Sequence, residues 1–135
     1  MTGLQSGLTG EISQIGVHVK DLERARQFYG EVLGLPLLFE VPGMVFYQCG
    51  TQRLMLSLPN EGQPVCGGSI LYFDCVEIEA ACRNLEAQRV EMIAAPSCVH
   101  RDEQHEIWMC FFKDPFGHVL ALTEQRAVNE ESTEG

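Results

Sequence analysis

The chain repeats itself at a spacing of 56 residues, and this limits the folds open to it more than any other feature. Residues 15–26 lie over residues 71–82. Apolar positions match at 15/71, 17/73, 19/75, 22/78 and 25/81, and acids at 21/77 and 23/79. Each copy opens with a period of two, the mark of a strand, and then changes to a helical period. In the first copy Leu22, Ala25, Phe28, Tyr29 and Val32 form one helix face, with Asp21 at the N-cap, Glu23 in the first turn and Gly34 as the stop. In the second, Ile78, Ala81, Cys82 and Leu85 repeat the stripe, so a helix is expected over 78–88.

Three short strands should follow each helix. They fall at 36–41, 44–49 and 53–58, then at 90–94, 106–113 and 118–124. Turns are expected at Pro42-Gly43, Gly50-Thr51 and Asp114-Pro115-Phe116-Gly117. The fold class is therefore α+β, with two tandem modules of order strand, helix, strand, strand, strand. Module one spans about 12–58, a Pro- and Gly-rich linker 59–68, module two about 69–125, and an acidic tail 126–135.

Of the 135 residues, 45% are hydrophobic, enough for a core, while 19 acids against 9 bases give a net charge of −10. Residues 1–65 hold six acids and four bases, and residues 66–135 hold thirteen and five. An acidic chain lacks the basic footprint needed for non-specific binding to nucleic acid or an anionic membrane, so neither is expected as a partner. No apolar run approaches the ~20 residues of a membrane span. The start shows no basic region followed by an apolar one, so no secretory leader is expected. The cysteines at 49, 66, 75, 82, 98 and 110 include no Cys-x-x-Cys pair, and several sit in apolar runs. They read as reduced, mostly buried thiols of a cytoplasmic protein.

Val19-Lys20-Asp21-Leu22-Glu23, Phe28-Tyr29 and Val32-Leu33-Gly34, together with Phe112-Lys113-Asp114-Pro115-Phe116-Gly117-His118, carry a resemblance over residues 12–125. The chain resembles the vicinal oxygen chelate superfamily, which includes glyoxalase I, extradiol dioxygenases, and fosfomycin- and bleomycin-resistance proteins. The resemblance implies two half-barrel sheets around a cavity with helices outside. It also implies metal ligands on the first and last strand of each half, which here fall on Gln14, Met55, Ile70 and Ala121. Of these only Gln14 is a plausible surviving ligand, and a weak one. Ile70 and Ala121 offer no lone pair, and the Met55 thioether suits soft Cu(I) rather than a hard or borderline ion. No metal or other cofactor is therefore expected.

Strand parity turns Gln14, Gly16 and His18 inward, as it does Ile70, Tyr72 and Asp74. Arg53, Met55 and Ser57 share a face, and so do Val119, Ala121 and Thr123. The family pattern puts Ile107, Met109 and Phe111 inside and His105 at the mouth, with Trp108, Cys110 and Phe112 toward the helices. Such a lining suits a small-molecule site. The expected ligand-binding set is Gln14, His18, Met55, Ser57, Ile70, Tyr72, Asp74, His105, Met109, Phe111 and Ala121.

No catalytic residue stands out. His18 is the one candidate, a ligand contact or a general base, with Asp74 as its counterpart in the repeat. The run from His100 to Glu106 reads as a solvated loop, with Asp102, Glu103 and Glu106 at the possible mouth, and His118 reads as structural. The leading expectation is a homodimeric, bleomycin-resistance-like protein. It would sequester a small organic ligand, cationic or aromatic, in an apolar cavity, as in antibiotic resistance. The alternatives are a metal-dependent lyase or dioxygenase, a metal-free isomerase using His18, and an interaction domain with a filled core.

Overall fold

A computed structural model describes residues 7, 10–61 and 68–128. The chain divides into two compact units, Met1–Val65 and Cys66–Gly135. Each holds a four-stranded mixed sheet with helix on one face, and neither sheet closes on itself. The expected α+β class and the order strand, helix, strand, strand, strand are both present.

Unit one runs β1 (Gln14–His18), α1 (Leu22–Ala25), a π-helical segment (Arg26–Val32), β2 (Leu37–Val41), β3 (Met44–Cys49) and β4 (Gln52–Ser57). Its sheet order is β1-β4-β3-β2, with only β1 and β4 parallel. Asp21 caps the helix as expected, its carboxylate accepting the N–H of Glu23 at 2.9 Å and of Arg24 at 3.1 Å. The expected apolar stripe is buried at Ala25, Phe28 and Tyr29. The switch to π geometry after Ala25 was not expected. Within it Leu33 N–H reaches back five residues to the Phe28 carbonyl, at 2.9 Å. At Gly30 a Cβ would stand 3.1 Å from the Tyr47 hydroxyl, so the bare backbone leaves room for the buried tyrosine. Gly34, at φ 78°, ends the helix in the left-handed region.

Unit two runs β5 (Leu71–Asp74), α2 (Ile78–Ala87), β6 (Glu91–Arg101), β7 (His105–Lys113) and β8 (Val119–Ala127), in sheet order β5-β8-β7-β6. Three expectations need correction. β6 extends to Arg101, where a strand ending at 94 was expected. Bulges between Met92 and Ala94, Ala94 and Ser97, and Cys98 and His100 let it stay paired while its apolar alternation breaks down, which is why sequence pattern missed it. The presumed loop from His100 to Glu106 is accordingly a hairpin tip, with only residues 102–104 outside the strands. β8 carries on to Ala127, so Arg126 and Ala127 belong to the sheet. The rest of the expected acidic tail, residues 129–135, and linker residues 62–67 lie outside the described residues.

Each core lies between the sheet and its helix. In unit one it comprises Val19, Ala25, Phe28, Tyr29, Val45, Tyr47, Leu54 and Leu56. In unit two it comprises Ile78, Cys82, Leu85, Cys110, Phe112, Leu120 and Leu122. Each large side chain fully buried this way contributes about 1.5–3 kcal/mol. Cys49, Cys75, Cys82, Cys98 and Cys110 are free thiols, and Cys98 is exposed rather than buried. Burial pushes the Cys110 thiol up to about 12, with Cys82 beside it as a further cause. It therefore stays protonated and behaves as a small apolar side chain.

Candidate functional site

In each unit the candidate site is the sheet face turned away from the helix. Strand pairing sets which side chains share it. In unit one Gly16 pairs with Met55 and Met55 with Phe46, while His18 pairs with Ser57 and Ser57 with Met44. Phe39 pairs with Phe46, and their rings stack at 4.3 Å and 21°. In unit two Tyr72 pairs with Ala121 and Ala121 with Phe111, while Asp74 pairs with Thr123 and Thr123 with Met109. Tyr72 is 50% exposed and meets Phe111 edge to face at 6.1 Å.

Gly16 against Met55 and Tyr72 against Ala121 are equivalent pairs, and Gly16 and Tyr72 are 56 positions apart, so the first strands of the two units keep the offset of the sequence repeat. Gln14 and Met55 are then diagonal neighbours, and the Gln14 amide donates to the Met55 sulfur at 3.7 Å. The Met55 methyl would lie 3.3 Å from a Cβ at residue 16, so glycine there lets the thioether lie against β1. Ile70 stands one residue ahead of Leu71, which pairs with Leu120. Ile70 and Ala121 thus repeat the Gln14–Met55 diagonal with two alkyl side chains. An amide, a thioether and two alkyl groups do not suit a hard or borderline divalent ion. Among the described residues no three His, Cys, Asp or Glu side chains gather where they could hold a metal.

His18 is half-buried beside Ser57, which is itself buried. Asp74 is exposed, and among the described residues no Lys, Arg or His pairs with it. His105 shares the face of Ile107, Met109 and Phe111, at the start of β7. Its N–H donates to the Asp102 carboxylate at 2.7 Å.

Two of the acids expected at a mouth serve other ends. Asp102 organises the β6–β7 turn, accepting the Gln104 N–H at 2.8 Å and lying 3.3 Å from the His100 ring nitrogen. The backbone donors of Gln104 and His105 and the His100 side chain hold its carboxyl below the usual range. Glu106 falls on the opposite face, because it shares the parity of Trp108. It accepts the indole N–H at 2.9 Å and pairs with Arg101. Trp108 is stacked under Arg126, whose guanidinium carbon is 4.5 Å from the ring centroid.

Two further contacts organise unit two, the first without a sequence signal and the second within the expected Asp114–Gly117 turn. Glu124, on β8, caps α2 by accepting the Ile78 N–H at 2.9 Å, and also pairs with Arg126 at 3.1 Å. Asp114, fully buried, accepts the N–H of Phe116 and of His118 and holds the His118 ring nitrogen at 2.5 Å. This makes His118 structural. Phe39, Phe46 and Gln48 were also missed as face residues. The alternation of Met44, Phe46 and Gln48 along β3 was the available clue.

No helix among the described residues is long and apolar enough to cross a membrane. The fold recurs in solved structures. A putative glyoxalase family protein from Bacillus anthracis superposes with a TM-score of 0.73 at 21% identity, covering 90% of this chain and 100% of that one. Lactoylglutathione lyase from Agrobacterium tumefaciens gives 0.65 at 24% identity, over 85% and 93%. A glyoxalase-related enzyme from Fulvimarina pelagi gives 0.70 at 21% identity, over 85% and 88%. At these identities the likeness speaks for the fold alone. No curated protein sequence matches the chain significantly. A family model does match, over residues 11–122, and by that match this chain belongs to the glyoxalase/bleomycin resistance protein/dioxygenase superfamily.

Proposed function

We propose that the protein binds a small organic ligand, aromatic or cationic, against its open sheet faces and sequesters it without transforming it. One observation carries this reading. Phe39, Met44 and Met55 in one unit, with Phe46 buried beside them and stacked on Phe39, and Tyr72, Phe111 and Met109 in the other, stand on the faces the helices leave uncovered. Rings offer flat apolar contact, and thioethers adapt to its shape. Asp74 is the carboxylate that a cationic group would meet on the second face. The amide, thioether and alkyl side chains at the positions where the family's ligands would fall do not fit a hard or borderline ion.

The same reading makes the protein a cytoplasmic homodimer of the metal-free, bleomycin-resistance-like kind. The competing reading is a metal-dependent lyase or dioxygenase, since the superfamily's name includes dioxygenases. The donor chemistry of Gln14, Met55, Ile70 and Ala121 weighs against it. A metal-free isomerase would have to use His18.

A thermal-shift screen against cationic antibiotics and aromatic natural products tests the proposal. At least one class should raise the melting temperature by several degrees, and a flat response across all classes removes the support for sequestration. Elemental analysis is the second arm: stoichiometric Ni, Zn, Fe or Mn in purified protein would overturn the metal-free reading. Light scattering should give twice the chain mass.

A further inference from the structure

One row of the first unit's open face is polar, and it carries a positive charge with no acid beside it. Register sets Gln14, Arg53 and Gln48 side by side across β1, β4 and β3. Arg53 is exposed, and its guanidinium lies over the Phe46 ring, 5.9 Å from the centroid. Among the described residues no carboxylate pairs with it. That is notable in a chain with about two acids for every base. Arg26 holds Glu23 and Glu40, Arg101 holds Glu106, and Arg126 holds Glu79 and Glu124. Arg83 and Arg89 also pair with no acid among the described residues, but they lie on α2 and in the turn after it, not on a sheet face.

The surroundings of Arg53 suit an incoming anion. Both flanking side chains are neutral amides. Gln48 is engaged with the Gly50 carbonyl. Gln14 donates only to a thioether, a weak acceptor that a better one would displace. The guanidinium contact with Phe46 is to an aromatic ring and not to a carboxylate, so it consumes no acceptor and the N–H donors can still make a two-point contact with an anion. The adjacent row is apolar, with Met55 over Gly16 and Phe39 stacked on Phe46.

We propose that Arg53 and Gln14 receive the carboxylate of a small organic acid whose planar, apolar body lies over Met55 and against the exposed Phe39 ring, which is stacked on the buried Phe46. A carboxylate matches the planar fork of one guanidinium, and a single arginine with a neutral amide neutralises one negative charge. The proposal rests on the ligand-binding reading above and gives the first unit's face a sign opposite to the one Asp74 gives the second. Each face then carries its own polar contact, of opposite sign, beside similar apolar ones.

Three probes with the same ring separate the cases: benzoate, benzamide and benzamidine, followed by two-dimensional NMR of the full chain. Benzoate should move the Arg53 side-chain and Gln14 amide resonances and bind about tenfold or more tightly than benzamide, the worth of a charge-assisted contact. Arg53→Met keeps the apolar stem and should abolish that preference while leaving the amide spectrum dispersed. Asp74→Asn should leave it intact. Three results overturn the carboxylate assignment: equal affinity for benzoate and benzamide, tighter binding of benzamidine at Arg53, or no benzoate shift at millimolar concentration. Each leaves the wider binding proposal to the thermal screen, where larger aromatic or cationic compounds can still succeed.

Discussion

Met55 and Ala121 occupy the same place in the two units, one step from an aromatic ring on the neighbouring strand, Phe46 or Phe111. Around that shared point the units differ in three ways. The edge strand β2 has five residues where β6 has eleven. The last hairpin turns on Gly50-Thr51 in unit one, and on the Asp114–His118 loop in unit two. The helix is capped by a residue of its own entry turn, Asp21, in unit one, and by a distant strand residue, Glu124, in unit two. The sheet plan is thus kept by apolar alternation, while turns, caps and edges are solved locally. The open faces follow the same rule, with conserved placement of rings and unlike polar groups beside them.

The last hairpins should respond most unequally. Asp114 is fully buried and satisfies two backbone donors and the His118 ring. Asp114→Ala strands all three and should cost about 3 kcal/mol or more in denaturant unfolding. A loss below about 1 kcal/mol would mean the turn holds itself without its carboxylate. The corresponding turn in unit one has no buried carboxylate: Gly50 reaches φ 60° and the Gln48 amide donates to its carbonyl. Gly50→Ala should therefore cost roughly 1 kcal/mol.

The diagonal across the first and last strands gives a second contrast. Gln14 and Met55 touch, so side chains at the matching Ile70 and Ala121 positions have the reach to meet. Ile70→His with Ala121→Glu should create Zn²⁺ or Ni²⁺ affinity measurable by calorimetry, on the order of a hundredfold above the parent. No gain would mean these are not the superfamily's ligand positions.

Most of the fold was legible because strand and helix periods come directly from apolar spacing. β3 matched its expected limits, and α2 ended one residue short. The π segment was not legible, because Phe28, Tyr29 and Val32 fit an ordinary helical face equally well. The length of β6 was hidden by its bulges. The face residues of β1, β4, β5, β7 and β8 followed from parity, those of β2 and β3 were missed, and the charge pattern was not legible: Glu106 is turned to the Trp108 side, Asp102 is bound into a turn, and Arg53 is left without an acid. Which acids find bases depends on contacts between strands, and one strand's sequence does not carry that information.

The caps give the smallest and most specific contrast. The Arg126 side chain and then the Ile78 N–H hold the Glu124 carboxyl below its ordinary value. A carboxyl whose pKa is lower in the folded chain contributes stability that is fully present above its unfolded value, roughly 4.3, and is lost as the pH falls through the folded value. Glu124→Ala at neutral pH removes the α2 cap and should cost about 1 kcal/mol. The parent should also lose stability on acidification below about pH 4.5, where Glu124→Gln, lacking the titrating group, should lose less. Melting temperatures of both proteins from pH 3 to 7 check this. Parallel curves would show that the strand-borne cap contributes no charge-dependent stability, and that α2 is held by Ile78, Cys82 and Leu85 alone.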